Sequence, residues 1–337
     1  MNSHHPTAVS FVSDGNWSGG GSALLNNARE AALRNPVLDG QRDDIPVIAR
    51  NTPNSTGSVQ GPFILVPQNA WPWRLSGATR KELTKLLPMR VASERTMRSR
   101  LGLLRISSAI PARGNPATIS PVIHNVLDSG YETALAESSD HTVPEAVGAI
   151  VSIGSMHSYR NMINVVRAHT EFVRQGGNTP LFLAGSPGDP QVLNELMREI
   201  ANQETGLIRL RTTPLTRPEC LAAFRDAQLV VQASRVEASP FAALEALSVN
   251  NRVVLSNIVG NREILLAAEA QAGTKHTGWF PPLCPRSLAD AMSNSEEQPV
   301  SPLTAVLASR DFRQAQRDAW GDRVTNWVES VLPTRNS

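Results

Sequence analysis

The sequence predicts an α/β chain of two domains, each built around a parallel sheet. Three observations predict it. Short β-branched runs alternate with helical stretches from end to end, the pattern left by βαβ units. The 337 residues are enough for two domains of ordinary size. A polar, proline-bearing segment at residues 136–146 interrupts the apolar period near the middle of the chain, and the domain linker is placed there.

In the first half, "TAVSFVSD" (7–14) reads as a strand, the glycine-rich "NWSGGGS" as a turn and "ALLNNAREAALRN" (23–35) as a helix. "IPVIARN", "GPFILVP", "RVASE" and "ISPVIHN" (119–125) read as further strands, with polar loops at 39–44 and 51–61. The second half alternates more clearly. "VGAIVSIGS" is a strand, "NMINVVRAHTEFVRQ" a helix, "PLFLAGS" a strand, "PQVLNELMREIAN" a helix and "LIRLRT" a strand. Met162, Val165, Val166, Phe172 and Val173 recur at helical spacing, with His169 on the same face, which suits a packed core histidine. "RPECLAAFRDA" is the next helix and "QLVVQAS" the next strand, followed by "RVVLSN", "GNREILLAAEA", "SLADAMSNS" and an amphipathic stretch at 309–332 carrying Trp320 and Trp327. Two Rossmann-like domains facing each other across a cleft accommodate this order, with ligands beyond the carboxyl ends of the strands.

Composition excludes several classes. Hydrophobic residues make up 41% and charged residues 18%, as in globular rather than disordered chains. No apolar run approaches the roughly 18 residues of a membrane span. The amino terminus lacks the pattern of a secretory signal, and Cys220 and Cys284 show no CxxC spacing, so a cytoplasmic chain without disulfide or zinc site is expected. Net charge is +2, yet residues 74–105 hold nine Lys/Arg against Glu82 and Glu94. A solvated face is one reading of that run; attraction to an anionic membrane at the inner face is another. No aromatic residue interleaves these charges, which argues against nucleic acid.

The segment "SRVEASPFAALEALSVNNRVVLSN" (234–257) places Glu237 and Glu245 eight positions apart around Ser239-Pro240. Serine caps helices and proline suits the first helical position, so a helix is expected from Ser239-Pro240, its amino end offering N–H groups and a positive dipole to an anion. Glu237 then sits in the loop before the helix and Glu245 within it. Carboxylates that accept paired hydroxyls suit sugar and ribose diols. Two surface glutamates would leave the same spacing.

The order of the surrounding residues resembles the signature of the retaining glycosyltransferases of family 4, which have the GT-B fold. "VQASRVEASPFAALEALSVNNRVVLSNIVGNREIL" matches its strand ending in serine, E-x7-E, "LEA" and "G..Ei". "VSIGSMHSYRNMINVVRAH" is similar to the family's opening strand, phosphate loop and helix in the C-terminal domain. "PLFLAGS" is similar to its "l.i.G" strand and "PVIHNVLD" to its "ipNGvD" stretch, and the tail around Trp320 to a terminal helix that crosses back to the first domain. The likeness covers residues 119–330 and is weak over the first 118. It implies an acceptor-side domain at 1–140 joined by 310–337, and a nucleotide-sugar domain at 147–309.

By that resemblance Glu245 would bind the ribose and Glu237 the transferred sugar. Ser239 and Phe241 would supply amides, and Gly154, Ser155 and Gly185 would line the diphosphate. Arg160 stands where the family has a phosphate-binding lysine, and with Glu237 forms the expected catalytic pair; an arginine keeps the charge and adds a bidentate fork. Ser155 replaces a second phosphate-binding arginine, removing a charge that Arg262 or a first-domain residue could restore. Ala238 and Pro240 replace two usual glycines. On the acceptor side, Gly20 and Gly21 in "DGNWSGGGS", and Asn69 and Trp71 in "PQNAWPW", are the candidates; a flexible turn and an aromatic core explain the same residues. The implied donor is a UDP- or GDP-sugar, with no cofactor and no metal, and the acceptor a hydroxyl of unknown class. A nucleotide-sugar-binding homologue, a partner subunit of another transferase and a GT-B epimerase are the alternatives. A nicotinamide oxidoreductase does not fit, because Gly19-Gly20-Gly21 lacks the GxGxxG spacing.

Overall fold

The computed structural model describes residues 9–12, 26–27, 30–31, 45–50, 64–67, 102–112, 115–203, 206–294, 301 and 303–331. The chain forms two compact units: Met1–Gly130 with Glu237–Phe241 and Asp311–Ser337, and Tyr131–Val236 with Ala242–Arg310.

The first unit holds a parallel sheet of β1 (Val9–Val12), β2 (Ile45–Arg50), β3 (Ile64–Pro67), β4 (Gly102–Arg105) and β5 (Ile119–Val122), in that spatial order. Leu103, Leu104, Ile106, Ile110 and Ile123 are fully buried around its later strands. In the second unit follow α1 (Ser129–Ser138), β6 (Ile150–Ile153), α2 (Met162–Arg174), β7 (Leu181–Ala184), α3 (Pro190–Ala201), β8 (Ile208–Arg211), α4 (Arg217–Asp226), β9 (Leu229–Gln232), α5 (Phe241–Val249), β10 (Val253–Ser256), α6 (Val259–Ala272), β11 (Trp279–Phe280), α7 (Pro285–Ser293) and α8 (Leu303–Ala308). Both α1 and α5 start with residues that pack in the first unit. The second sheet is also parallel, in the order β11-β10-β9-β6-β7-β8.

Helix α2 shows how the sequence sets this core. Met162, Val165, Val166, Ala168, His169 and Phe172 form its buried face, against Leu181, Leu183 and Val231 of the sheet and Leu288 and Met292 of α7. Each large apolar side chain so buried contributes about 1.5–3 kcal/mol. His169 is the core histidine its position suggests: Nε2 lies 2.8 Å from the Thr179 carbonyl, and burial holds its pKa below the ordinary value.

The terminal helix α9 (Arg310–Val331) belongs, from Asp311, to the first unit. Trp320, Val324, Trp327 and Val328 are buried along it. Arg323 Nη2 donates to the Val122 carbonyl at 2.7 Å, and the buried Arg317 reaches the Leu127 carbonyl and, at 3.6 Å, Glu30.

Four departures from the expectations stand out. β4 falls within the basic run and β11 is two residues long, so neither shows a strand pattern. The polar segment at 136–146 begins as the end of α1, whose buried residues are only Tyr131, Ala134 and Ser138, too few for an apolar period. The second unit starts at Tyr131, and Glu237–Phe241 packs with the first. α5 starts at Phe241, so Ser239 and Pro240 precede the helix instead of opening it. The expected strand "RVASE" and most of the basic run lie outside the described residues. Among the described residues no helix is long and apolar enough to cross a membrane.

Candidate active site

The strand order of the second sheet reverses at β6. The chain runs outward through β7 and β8, then returns to place β9 on the other side of β6, pairing Ile150 with Leu229 and Val151 with Val230. In parallel sheets ligands bind beyond the carboxyl ends of the strands at such a reversal. Here the two strands end at Ile153 and Gln232, and the loops that leave them are Gly154–Arg160 and the segment leading to Glu237.

These loops are tied together by backbone bonds. The Arg235 amide donates to the Tyr159 carbonyl at 2.8 Å. Asn161, left-handed at φ 65°, donates from Nδ2 to the Ala233 carbonyl at 3.1 Å and the Pro282 carbonyl at 2.6 Å. Asparagine tolerates that backbone region better than other non-glycine residues, and one side chain here braces three loops. Ser256 Oγ adds a bond to the Ser234 carbonyl at 2.6 Å.

Gly154 and Gly185 meet backbone against backbone. Gly185 has φ +152°, and a Cβ on it would lie 1.9 Å from the Gly154 carbonyl oxygen and 3.2 Å from the Ser155 nitrogen. Only glycine permits that backbone approach. A Cβ on Gly154 would meet the Arg160 stem at 3.5 Å and Met162 at 3.3 Å, so Arg160 lies along the loop that Gly154 opens. The Arg160 guanidinium sits 5.2 Å from the Tyr159 ring centroid, and His157 stacks on that ring at 5.7 Å. Burial and the Arg160 charge lower the His157 pKa, so this loop carries arginine rather than histidine charge near neutrality. Ser155 is half-buried and supplies no cation.

Glu245 lies on α5 with 12% of its side chain exposed. Arg217, the first residue of α4, donates to Glu245 Oε1 from Nη2 at 2.7 Å and from Nε at 2.8 Å. Sequence reasoning missed this partner, 28 residues away, because nothing local marks it. Glu237 and Ser239 are each 9% exposed and pack with the first unit, where the Asn125 amide donates to Ser239 Oγ at 3.2 Å. The Asn125 side chain is buried, and neither of its polar atoms has a hydrogen-bond partner. Arg262 is exposed, donating to Asn257 and stacked 4.7 Å from the Trp279 ring. Gly20, Gly21, Asn69 and Trp71 lie outside the described residues. Among the described residues no group of three His, Cys, Asp or Glu could hold a metal ion.

The family model described as glycosyl transferases group 1 matches residues 136–306, half of the chain. The chain belongs to the glycosyl transferases group 1 family. No curated protein matches it in sequence. Among solved structures, a UDP-forming α,α-trehalose-phosphate synthase from Burkholderia vietnamiensis is similar at a TM-score of 0.64 and 12% identity, over 96% of this chain and 78% of that one. One from Burkholderia xenovorans gives 0.62 and 13%, over 95% and 81%. An E. coli structure bound with UDP-2-fluoro glucose gives 0.57 and 12%, over 91% and 76%. At such identities the likeness is one of fold, and that fold is GT-B. The expected glycosyltransferase membership and α/β architecture are both borne out by these matches.

Proposed function

We propose that this group 1 glycosyltransferase takes its sugar from a nucleoside diphosphate sugar, with a UDP- or GDP-sugar the donor, and passes it to a hydroxyl acceptor with retention at the anomeric carbon. The observation that carries the reading is the reversal of strand order at β6, from which the Gly154–Arg160 loop and the loop to Glu237 both leave. The UDP analogue bound by the E. coli structure of the same fold supports the donor class.

In this reading Glu245 accepts the ribose hydroxyls and Glu237 those of the transferred sugar. Gly154, Ser155 and Gly185 let the diphosphate approach backbone amides, as does the Ser239–Phe241 turn. Arg160 offsets the charge that develops on the leaving phosphate. The bond from the anomeric carbon to the phosphate oxygen breaks as the acceptor oxygen attacks the same face. The departing phosphate oxygen takes the acceptor's proton. With Arg160 supplying the charge, turnover is expected to persist in EDTA. Asn69 and Trp71, with Gly20 and Gly21, remain the proposed acceptor-side residues. The basic run at 74–105 is proposed to rest on an anionic inner-membrane surface, and cosedimentation with phosphatidylglycerol vesicles that salt does not weaken would count against it.

A thermal-shift screen of nucleoside diphosphates and their sugars identifies the donor, since a native-state ligand raises the melting temperature with its affinity. Anomeric assignment of the product by NMR tests retention. Inversion refutes the mechanism. Ser155 in place of a cation favours a second reading, a donor-binding homologue, which nucleotide binding without turnover on a broad acceptor panel would establish. Sugar-nucleotide isomers formed without acceptor would instead mark an epimerase.

A further inference from the structure

We infer that Arg217 is a positioning residue for the donor's ribose, acting through Glu245. The inference rests on the reading that Glu245 binds that ribose. Both Arg217 donors, Nε and Nη2, converge on one carboxylate oxygen at 2.8 and 2.7 Å. The two planar donors of this fork hold Oε1 in place, a geometry that a lysine ammonium does not present. A carboxylate has about four lone-pair positions, enough for a guanidinium and a diol together.

The support of the fork is itself built. Arg217 opens α4 next to Thr216, whose hydroxyl and backbone amide form a reciprocal capping box with Glu219, so the residue's place in the chain is fixed. Its guanidinium lies 5.7 Å from the centroid of the fully buried Tyr131 ring. Tyr131 Oη is 2.6 Å from Ser248 Oγ, and Ser248 Oγ donates to the Glu245 carbonyl at 2.7 Å. The serine proton is thereby committed, so the phenol donates to the serine. Ring, fork and hydroxyl chain meet at the one turn of α5 that carries Glu245. A flexible glutamate would lose rotamer freedom on meeting a diol; here that freedom is already spent on the fold.

The test is isothermal titration of the full chain with UDP, GDP and their 2′-deoxy counterparts, read as the ratio of ribo to deoxy affinity. A role in stability alone lowers both affinities together and leaves the ratio unchanged. Wild type is expected to prefer the ribonucleotide by about tenfold, the worth of one hydrogen bond to a charged group. E245Q and R217Q are each expected to bring the ratio to about twofold or below, and the double variant to go no lower than E245Q. R217K, with charge but no fork, is expected to fall between. Loss of preference in E245Q with full preference in R217Q overturns the role of Arg217 and leaves the ribose reading standing. A wild type that binds no diphosphate, or binds both sugars equally, overturns that reading and the inference with it. Where R217Q does not fold, R217K decides, and an undiminished ratio in it overturns the inference.

Discussion

Two cysteines in one unit meet opposite surroundings, and their chemistry is expected to separate accordingly. Burial, with the charges of Glu245 and Glu219 nearby, pushes the Cys220 thiol up to about 12. Cys284 precedes α7 and accepts a hydrogen bond from Ser287 Oγ at 3.2 Å, which holds its thiol below the ordinary range. The thiolate is the reactive form. Iodoacetamide at pH 7.5 is therefore expected to label Cys284 well before Cys220, as read by peptide mapping; equal rates would contradict the assigned surroundings. At Gly185 a side chain has no room beside the Gly154 carbonyl. Gly185→Ala is expected to cost about 3 kcal/mol through overpacking and an unfavourable φ. An unchanged denaturation midpoint would show that the two loops do not touch as described.

At the scale of elements, α4 depends on the cap at its amino end. Its amino end is closed by Thr216 and Glu219, with the Thr216 amide donating to Glu219 at 2.7 Å. Thr216→Ala removes one half of the box and is expected to cost about 1 kcal/mol. Because the next residue is Arg217, the same change is expected to weaken nucleotide binding, and titration reads both effects on one variant. A stability loss with unaltered affinity would uncouple cap from site. This helix also marks what was legible. Its extent, and those of α2 and β9, are written in local periodicity, whereas Gly154 in the loop after β6 is picked out by the resemblance, and its contact with Gly185 is not legible at all. Glu245 could be singled out from its neighbours. Its arginine could not, because the bond spans 28 residues and a fold must bring them together. β4 was hidden by its charged surroundings, and α1 by a face with few apolar positions. Local pattern reveals what a segment buries against itself or its sheet, and stays silent where a polar residue answers to a distant one.

For the molecule as a whole, acid is expected to act first through buried histidines of the second unit. His169 and His276 are 1% and 4% exposed, and burial lowers the pKa of each; His157 is lowered too. Above about pH 7.5 folded and unfolded chains hold these imidazoles neutral alike, and they contribute no pH dependence. As pH falls through the ordinary value near 6.5, the unfolded chain takes up protons that the folded one refuses, so stability declines toward the lowered folded values. Each ring already uses Nε2 against a carbonyl, at 2.8 Å for His169 and 3.2 Å for His276, while Nδ1 is buried without a partner. A second proton would thus arrive where no acceptor waits. Glu219 works in a separate window: bonds from the Thr216 amide and hydroxyl and the Arg211 charge lower its pKa, so its contribution holds above the ordinary value of 4.5 and fades below it. A chain of two units need not melt in one step, so a single melting temperature would blur these windows. Hydrogen exchange resolves them, with amides of β6, β7 and β9 expected to lose protection as the pH falls below about 6.5. In a His169→Gln, His276→Gln variant that loss is expected to flatten, even though the variant is less stable at pH 8. Retention of the full slope in that variant would move the acid sensitivity to other groups.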